Sequence, residues 1–483
     1  MQRILVVGGG AAGSAVVGEL LRGPDAHELE IIWLLGRRAP GRGIAYAAGA
    51  DHHLLNVRAA GMDLFTEEAG AFLDYVISRR RGTRGGDFVP RAWFGDFMES
   101  SLARRIDEAR DRGQWIVPRL TEALAVRRDP RGWTVTTEDG DKVACDGVVL
   151  AVGALPPQAP PGVSAAAQRS DAYMVDPWRW PPSKRACQRV VILGSGLTAV
   201  DAMLTAARRW PQARLTAVSR RGLLPRTHAS GANPTYPRLA GLVARLHARP
   251  SLHRWLHAVR AEIAHGTADW RAVIDGLRPE IPGLWQRLDA AQRSRFLRHL
   301  RRHWELLSHR MPPQTAAEVA RLHDEGRFTL IAGQMLAVDV ADPALVRVRL
   351  RGGDVVRTLR ADLVIQANGL DSDATTTSHR LIRQLVDEGL VAADPLGLGL
   401  RADTRGRLLR DDGVAVGGLR CLGTLLRGAQ WESTGLAEIR AMASAIAQDL
   451  PHELRDAGRT HRPGTRCRLA AATDSRCAGV HRE

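Results

Sequence analysis

The sequence predicts an α/β chain in which two parallel-sheet units follow one plan, and three observations carry that prediction. The first is Arg3–Gly13, where the apolar run Ile4-Leu5-Val6-Val7 enters Gly8-Gly9-Gly10-Ala11-Ala12-Gly13 and an alanine-rich helical stretch, Ser14 to Leu21, follows. The second is its recurrence, with Val190-Val191-Ile192-Leu193 entering Gly194-Ser195-Gly196-Leu197-Thr198-Ala199 ahead of a helical stretch to Arg208. The third is that each start precedes an alternating stretch read as a β-meander and then an apolar strand ending in glycine, Gly147–Gly153 and Ala361–Gly369. G-x-G-x-x-G or G-x-G-x-x-A between a strand and a helix is the setting of a dinucleotide-binding turn. The fold class is therefore α/β, with two Rossmann-like dinucleotide-binding domains, β-meanders, and a helical insertion in the second domain.

Each turn residue has a physical task. Gly8 and Gly194 permit the tight turn, Gly10 and Gly196 let the backbone approach a pyrophosphate, and Gly13 or Ala199 lets the helix lie close to the sheet. The helix N-terminus supplies free N–H donors and partial positive charge. The residue after the next strand reads the ribose. In the first unit Leu29–Leu35 ends in Gly36-Arg37-Arg38, with no acid, while Asp25, Glu28 and Glu30 stand at the wrong end. Ribose contact there falls to backbone or to Arg37 or Arg38, or is lost, or else a 2′-phosphate is read through Arg37. In the second unit Arg214–Val218 ends in Ser219-Arg220-Arg221. Arginine in place of an acid suits the 2′-phosphate of NADP.

Composition narrows the remaining classes. The 483 residues suffice for two or three domains, and the net charge of +16 is almost all arginine, since Lys142 and Lys184 are the lysines. The basic residues are dispersed apart from runs such as Arg79–Arg81 and Arg298–Arg302, which favours a solvated surface over nucleic-acid binding. Five cysteines (Cys145, Cys187, Cys421, Cys467, Cys477) form no C-x-x-C and no zinc spacing, which excludes a dithiol reductase and a metal site. Apolar runs are strand-length and only Met1 and Gln2 precede the first strand, so no membrane association and a cytoplasmic location are expected.

Taken in order, residues 1–160 form the first part of the FAD-type domain, closed by the proline-rich hinge Pro156–Pro161. Residues 161–335 form the NAD(P)-type domain, with a helical insertion at 236–323. Residues 336–450 return to the first domain, and 451–483 form a basic tail expected to fray. Within the first part lies a glycine-rich loop, 41–65, carrying Asn56. Asp87–Met98 turns into a helix, and Arg91 is the basic residue there best placed for a phosphate. In the insertion, Leu284, Trp285, Phe296, Leu297, Leu300 and Trp304 recur near helical spacing as core, with His303, His309 and Arg310 as residues that could face a site.

These segments carry a family resemblance. GGGAAG at 8–13, GRGIAY at 41–46, LLNV at 54–57, PRAWFGDFM at 90–98, DPW at 176–178, ILGSGLTAVD at 192–201, SRRGLLPRTH at 219–228, FLRHLRRHW at 296–304 and RGAQWESTGLAEIR at 427–440 occur in that order. The chain resembles the bacterial YdhS-like FAD/NAD(P)-binding proteins, distant relatives of flavin-containing and N-hydroxylating monooxygenases. The resemblance implies FAD in the first fold, near Gly8, Gly10, Gly13, Arg37, Asn56, Arg91, Gly153 and Gly423. It implies NADP in the second, near Gly194, Gly196, Ala199, Ser219, Arg220 and Arg221. Asn56 and Trp431 are the candidate catalytic residues. The expected activity is an NADPH-dependent flavoprotein monooxygenase using O2 on a small polar metabolite, at an amine nitrogen in one version. The alternatives are an NADPH:acceptor oxidoreductase without oxygen insertion and a non-catalytic FAD-binding redox sensor.

Overall fold

The computed structural model describes residues 1–37, 40–47, 50–130, 132–180, 186–231, 235–342 and 345–460. Strand β1 (Gln2–Val7) is buried from Ile4 on and pairs in parallel with β2 (Leu29–Leu34), placing Ile4 opposite Ile31. Such a run buried on both faces is what a sheet covered by helices requires. Strand β3 (Trp115–Arg119) extends this sheet beyond β2. The sequence reading passes from the helix ending at Arg112 to the meander with no strand between them; the structure puts β3 at the sheet edge, where Pro118 is tolerated. Next come the antiparallel β4 (Ala123–Asp129), β5 (Gly132–Thr137) and β6 (Lys142–Cys145), the expected meander. Strand β7 (Gly147–Leu150) then returns beside β1.

The second sheet repeats the plan. Strands β8 (Tyr173–Met174), β9 (Arg189–Leu193), β10 (Arg214–Ser219) and β11 (Phe328–Ala332) lead to a second antiparallel meander, β12 (Gln334–Asp342), β13 (Leu345–Gly352) and β14 (Val355–Ala361), and to β15 (Leu363–Gln366). The order β11-β10-β9-β15-β8 is parallel throughout. Because β15 lies beside β9, the second unit runs on past residue 335; the expected return at 336 is corrected to about residue 370. The chain leaves the first unit at Leu155 and re-enters at Asp371, and these two residues form a β-bridge. Strands β16 (Arg407–Leu409) and β17 (Ala415–Cys421) then complete the first sheet, with β17 parallel to β7.

The insertion is helical as expected, from Leu239–Ala248 to Arg301–Ser308. The following helix, Pro313–Asp324, belongs to the second unit itself, since Val319 and Leu322 are buried in its core. The expected frayed tail needs correction over its first ten residues. The last helix runs Leu436–Thr460 straight through Pro451. Leu450 is fully buried, Glu453 accepts from the Gly418 N–H at 2.9 Å and pairs with the buried Arg420, and Arg455 pairs with Asp25 at 2.7 Å. Those partners come from remote segments, which local sequence does not announce. Residues 461–483, including Cys467 and Cys477, lie outside the described residues.

Gly13 locks the first helix to the sheet. A Cβ there would lie 1.9 Å from the Gly8 carbonyl oxygen, a backbone atom that cannot swing aside. Gly13→Ala is expected to cost about 1–3 kcal/mol of stability as an overpacking substitution. A urea midpoint equal to that of the parent would refute this.

Candidate functional site

The first glycine turn is held by the backbone around it. Gly8 has φ +121°, and a Cβ there would meet the Ala151 carbonyl oxygen at 2.3 Å. The β7 exit and the turn therefore interlock, and Trp33 Nε1 donates to Gly8 O at 2.9 Å. The helix Ala11–Arg22 starts at Gly10 with no side-chain cap. Its first-turn donors face a space bounded by other glycines: the Gly41 N–H donates to Gly9 O at 2.8 Å, and Gly43 Cα lies 3.6 Å from where a Gly10 Cβ would be. From a segment late in the chain comes Gly423 (φ +82°), where a Cβ would lie 3.8 Å from Ala12 Cβ. A cradle of uncapped N–H groups walled by bare backbone fits the pyrophosphate of a dinucleotide. Gly153 (φ +73°) follows β7 with open space where its side chain would be.

Two basic residues expected at this cradle are occupied elsewhere. Arg91 donates to Asp201 at 2.8 Å across the junction of the two units, with side chains only 14% and 10% exposed. That pair engages Arg91 at the junction: burial pushes the Asp201 carboxyl up, and the Arg91 charge opposes that. Arg37 pairs with Glu122 at 3.3 Å and with Glu138. Arg38 lies outside the described residues. Asn56 contributes its carbonyl, which accepts from His228 Nε2 at 3.0 Å, another contact between the units. His53 bonds Thr205 Oγ1 at 2.8 Å and His52 the same hydroxyl at 3.1 Å.

The second turn repeats the first. Gly194 has φ +131°, and a Cβ would stand 2.0 Å from Ala367 O, the counterpart of Ala151. The helix Leu197–Arg209 starts at Gly196, again uncapped, and Ala199 is buried where the first unit has Gly13. Ser219 Oγ lies 2.8 Å from Ser195 Oγ and accepts from the Gly222 N–H at 3.2 Å, so it fixes the turn. Arg220 is exposed at the strand end, and Arg221 contacts His303 of the insertion.

Sequence reasoning missed Arg302. Its guanidinium donates to Ser195 O at 3.0 Å and Leu223 O at 2.7 Å, and Nη1 lies 3.9 Å from the position of a Gly196 Cβ. Burial lowers its pKa, with Glu305 opposing. It was legible only as part of a basic run, because nothing local shows that the insertion folds back over the turn.

The insertion also meets the C-terminal part of the first unit. Trp431, a candidate catalytic residue from sequence, is 4% exposed and packs with Trp285 and Phe296 at centroid distances of 5.2 Å each. The Arg427 guanidinium lies over the Trp431 ring at 4.6 Å, and burial brings its pKa down to about 10. Burial alone would raise the pKa of Glu432, but the bonds and charge of His309 and the Trp304 N–H outweigh it and hold the group at about 2. Arg310 is buried against Asp275, away from this contact. An open cleft of about 560 Å³ bordered by Asp51, Asp87, Phe88 and Trp93 includes neither glycine turn. No cluster of metal-binding groups occurs among the described residues, nor any helix long and apolar enough to cross a membrane.

Two glycine cradles, one on a sheet parallel but for its edge strand β16 and one on a wholly parallel sheet, define a fold with two dinucleotide-binding Rossmann-like domains. Residues 5–155 match the profile of the family described as FAD-NAD(P)-binding. No curated protein matches the chain in sequence. The fold is similar to that of an ornithine N-hydroxylase of Kutzneria sp. 744 (TM-score 0.62, 15% identity, 95% of this chain and 100% of that one). It is similar to the L-lysine 6-monooxygenase of Pseudomonas syringae (0.60, 18% identity, 94% and 100%). Thioredoxin reductase of Lactococcus lactis follows at 0.51, with 11% identity over 94% and 100%. At these identities the likeness is one of fold.

The junction histidines give a pH dependence. Burial first, then the neighbouring charges (His53 and Arg208 on His52; Arg91 on His53), lower both pKa values from 6.5 to about 4. The folded chain thus binds fewer protons than the unfolded chain in that interval, so their contribution is complete above about pH 6.5 and lost as pH falls through 4. The urea midpoint is expected to drop across this window, and His53→Gln to flatten the drop; an unchanged slope in the variant would count against it.

Proposed function

We propose that the protein is an FAD-dependent, NADPH-using oxidoreductase, and within that class a monooxygenase acting on a small polar metabolite such as an amine. The observation that carries the reading is the pair of matched cradles, the second overlaid by Arg302 and flanked by Arg220, Arg221 and His303. FAD, when bound, takes hydride from a reduced nicotinamide and passes electrons to oxygen or another acceptor. The chain's own part is to bind and to enclose. Gly8, Gly10, Gly13, Gly43 and Gly423 form the backbone cradle that would hold the flavin dinucleotide. The Leu197–Arg209 N-terminus and Arg302 would hold the second pyrophosphate, while Arg220 and Arg221 recognise the 2′-phosphate. The insertion, seated on the first unit through Trp285, Phe296 and Trp431, would keep water from the space between the cradles.

The likeness to amine-hydroxylating enzymes supports oxygen insertion over electron transfer to a dithiol. The described cysteines, Cys145, Cys187 and Cys421, are buried and form no disulfide with one another, which suits neither a dithiol relay nor its partner. Oxidation of NADPH in the presence of isotopically heavy O2 and a panel of small amines decides the matter. Label in an amine product supports the monooxygenase. NADPH oxidation that proceeds equally well without oxygen, given an artificial acceptor and no labelled product, supports the acceptor oxidoreductase instead.

Two substitutions separate the coenzyme contacts. Arg221→Ala is expected to raise the KM for NADPH and leave NADH alone, since a charge-assisted contact is worth about 1.5–3 kcal/mol, or roughly ten- to hundred-fold. Arg302→Ala is expected to weaken both coenzymes alike, because both carry the pyrophosphate. Equal effects of Arg221→Ala on the two coenzymes would overturn the 2′-phosphate assignment.

A further inference from the structure

The first unit lacks the acid that usually follows the second strand of such a fold, and the backbone at position 36 shows why that position does not carry one. Beyond β2 the chain stays beside the segment leaving β3: the Leu35 N–H donates to Arg119 O at 2.9 Å and the Gly36 N–H to Thr121 O at 3.1 Å. Gly36 has φ +71°, left-handed backbone in which an aspartate or glutamate would be strained. A side chain starting from position 36 would point at a neighbour from another segment. Among the described residues, its chain neighbours aside, Glu122 Cγ at 3.9 Å is the one heavy atom within 4 Å of an ideal Gly36 Cβ.

We infer that Glu122 is the ribose-reading carboxylate of the first dinucleotide site, supplied across the sheet by the turn between β3 and β4 in place of an acid on β2. Its backbone is anchored, since its carbonyl accepts from the Glu138 N–H at 2.8 Å and β4 begins at the next residue. One carboxylate oxygen is held 3.3 Å from Arg37 Nε. The other has no hydrogen-bond partner among the described residues, and the side chain is 48% exposed. A carboxylate with one oxygen steadied by a cation and the other unpartnered among the described residues is equipped to accept from a vicinal diol, and a ribose offers its 2′- and 3′-hydroxyls. Arg37 then orients the acid and does not read a phosphate. The geometry also bears on coenzyme choice, because a carboxylate at this point repels a 2′-phosphate and keeps NADP out of the first cradle.

This inference rests on the reading that FAD occupies the first unit, and its test keeps the two apart. FAD is titrated into the flavin-stripped full-length protein and followed by flavin fluorescence, for the parent, Glu122→Gln and Glu138→Gln. In parallel an FAD analogue with a 2′-deoxy adenosine ribose is titrated. Glu122→Gln is expected to weaken FAD binding about tenfold or more, and to weaken the deoxy analogue far less. Glu138→Gln, which leaves the Glu122 carboxylate in place, is expected to bind FAD as the parent does. Circular dichroism and the thermal midpoint establish that each variant is folded. If the parent binds FAD while Glu122→Gln binds it equally well, or loses FAD and the deoxy analogue by the same factor, Glu122 is not the ribose acid. If the folded parent itself takes up no FAD, the reading of the first unit fails instead.

Discussion

The structure depends on two close approaches of backbone to backbone that only glycine allows. At Gly8 the turn presses against the carbonyl of Ala151, and at Gly194 against that of Ala367, at distances that leave no room for a methyl group. Each contact ties the exit of the first strand to the exit of a strand that arrives more than a hundred residues later. The helix that follows is thereby aimed across the end of the sheet, with its uncapped N–H groups facing the space where phosphate charge is best placed. The strand order, the meanders and the glycine ends of β7 and β15 all serve this placement. The two units are in this sense one design executed twice.

Joining the units is a separate problem, and buried polar groups supply much of the answer. Arg91 and Asp201 form a mostly dry pair, and His52 and His53 share a hydroxyl of the same helix. Breaking such a pair by removing one partner leaves an uncompensated buried charge, so the pair specifies how the units meet more than it stabilises either. The aromatic contact of Trp285 and Phe296 with Trp431 adds a second attachment, between the insertion and the far end of the first unit. Residues that resemble cofactor ligands in sequence, Arg91 and Asn56 among them, are in large part the fittings of this junction.

Charge decides the division of labour between the cradles. Around the second lie Arg302, Arg220 and Arg221, whereas at the ribose end of the first Arg37 is shared between Glu122 and Glu138. On the proposed reading, one cradle would favour an additional phosphate and the other would disfavour it. The insertion accounts for part of that asymmetry, because Arg302 and His303 reach the second turn from a helix that is remote in sequence.

What the sequence determined by itself were the features whose cause is local. The apolar strands, the glycine turns, both meanders and the helical insertion follow from patterns read within a few residues, because each must satisfy its own hydrogen bonds and bury its own face. The Ser219-Arg220-Arg221 corner was legible for the same reason, since its offset from Gly196 is set by one helix and one strand. Tertiary structure alone decided the rest. The edge placement of β3 in spite of Pro118, the continuation of the last helix past Pro451, the diversion of Arg91 to Asp201 and the arrival of Arg302 at Ser195 all need a partner from a distant segment. A side chain's charge and length are written in its own codon, but which carboxylate or carbonyl it meets is settled when remote parts of the chain pack together.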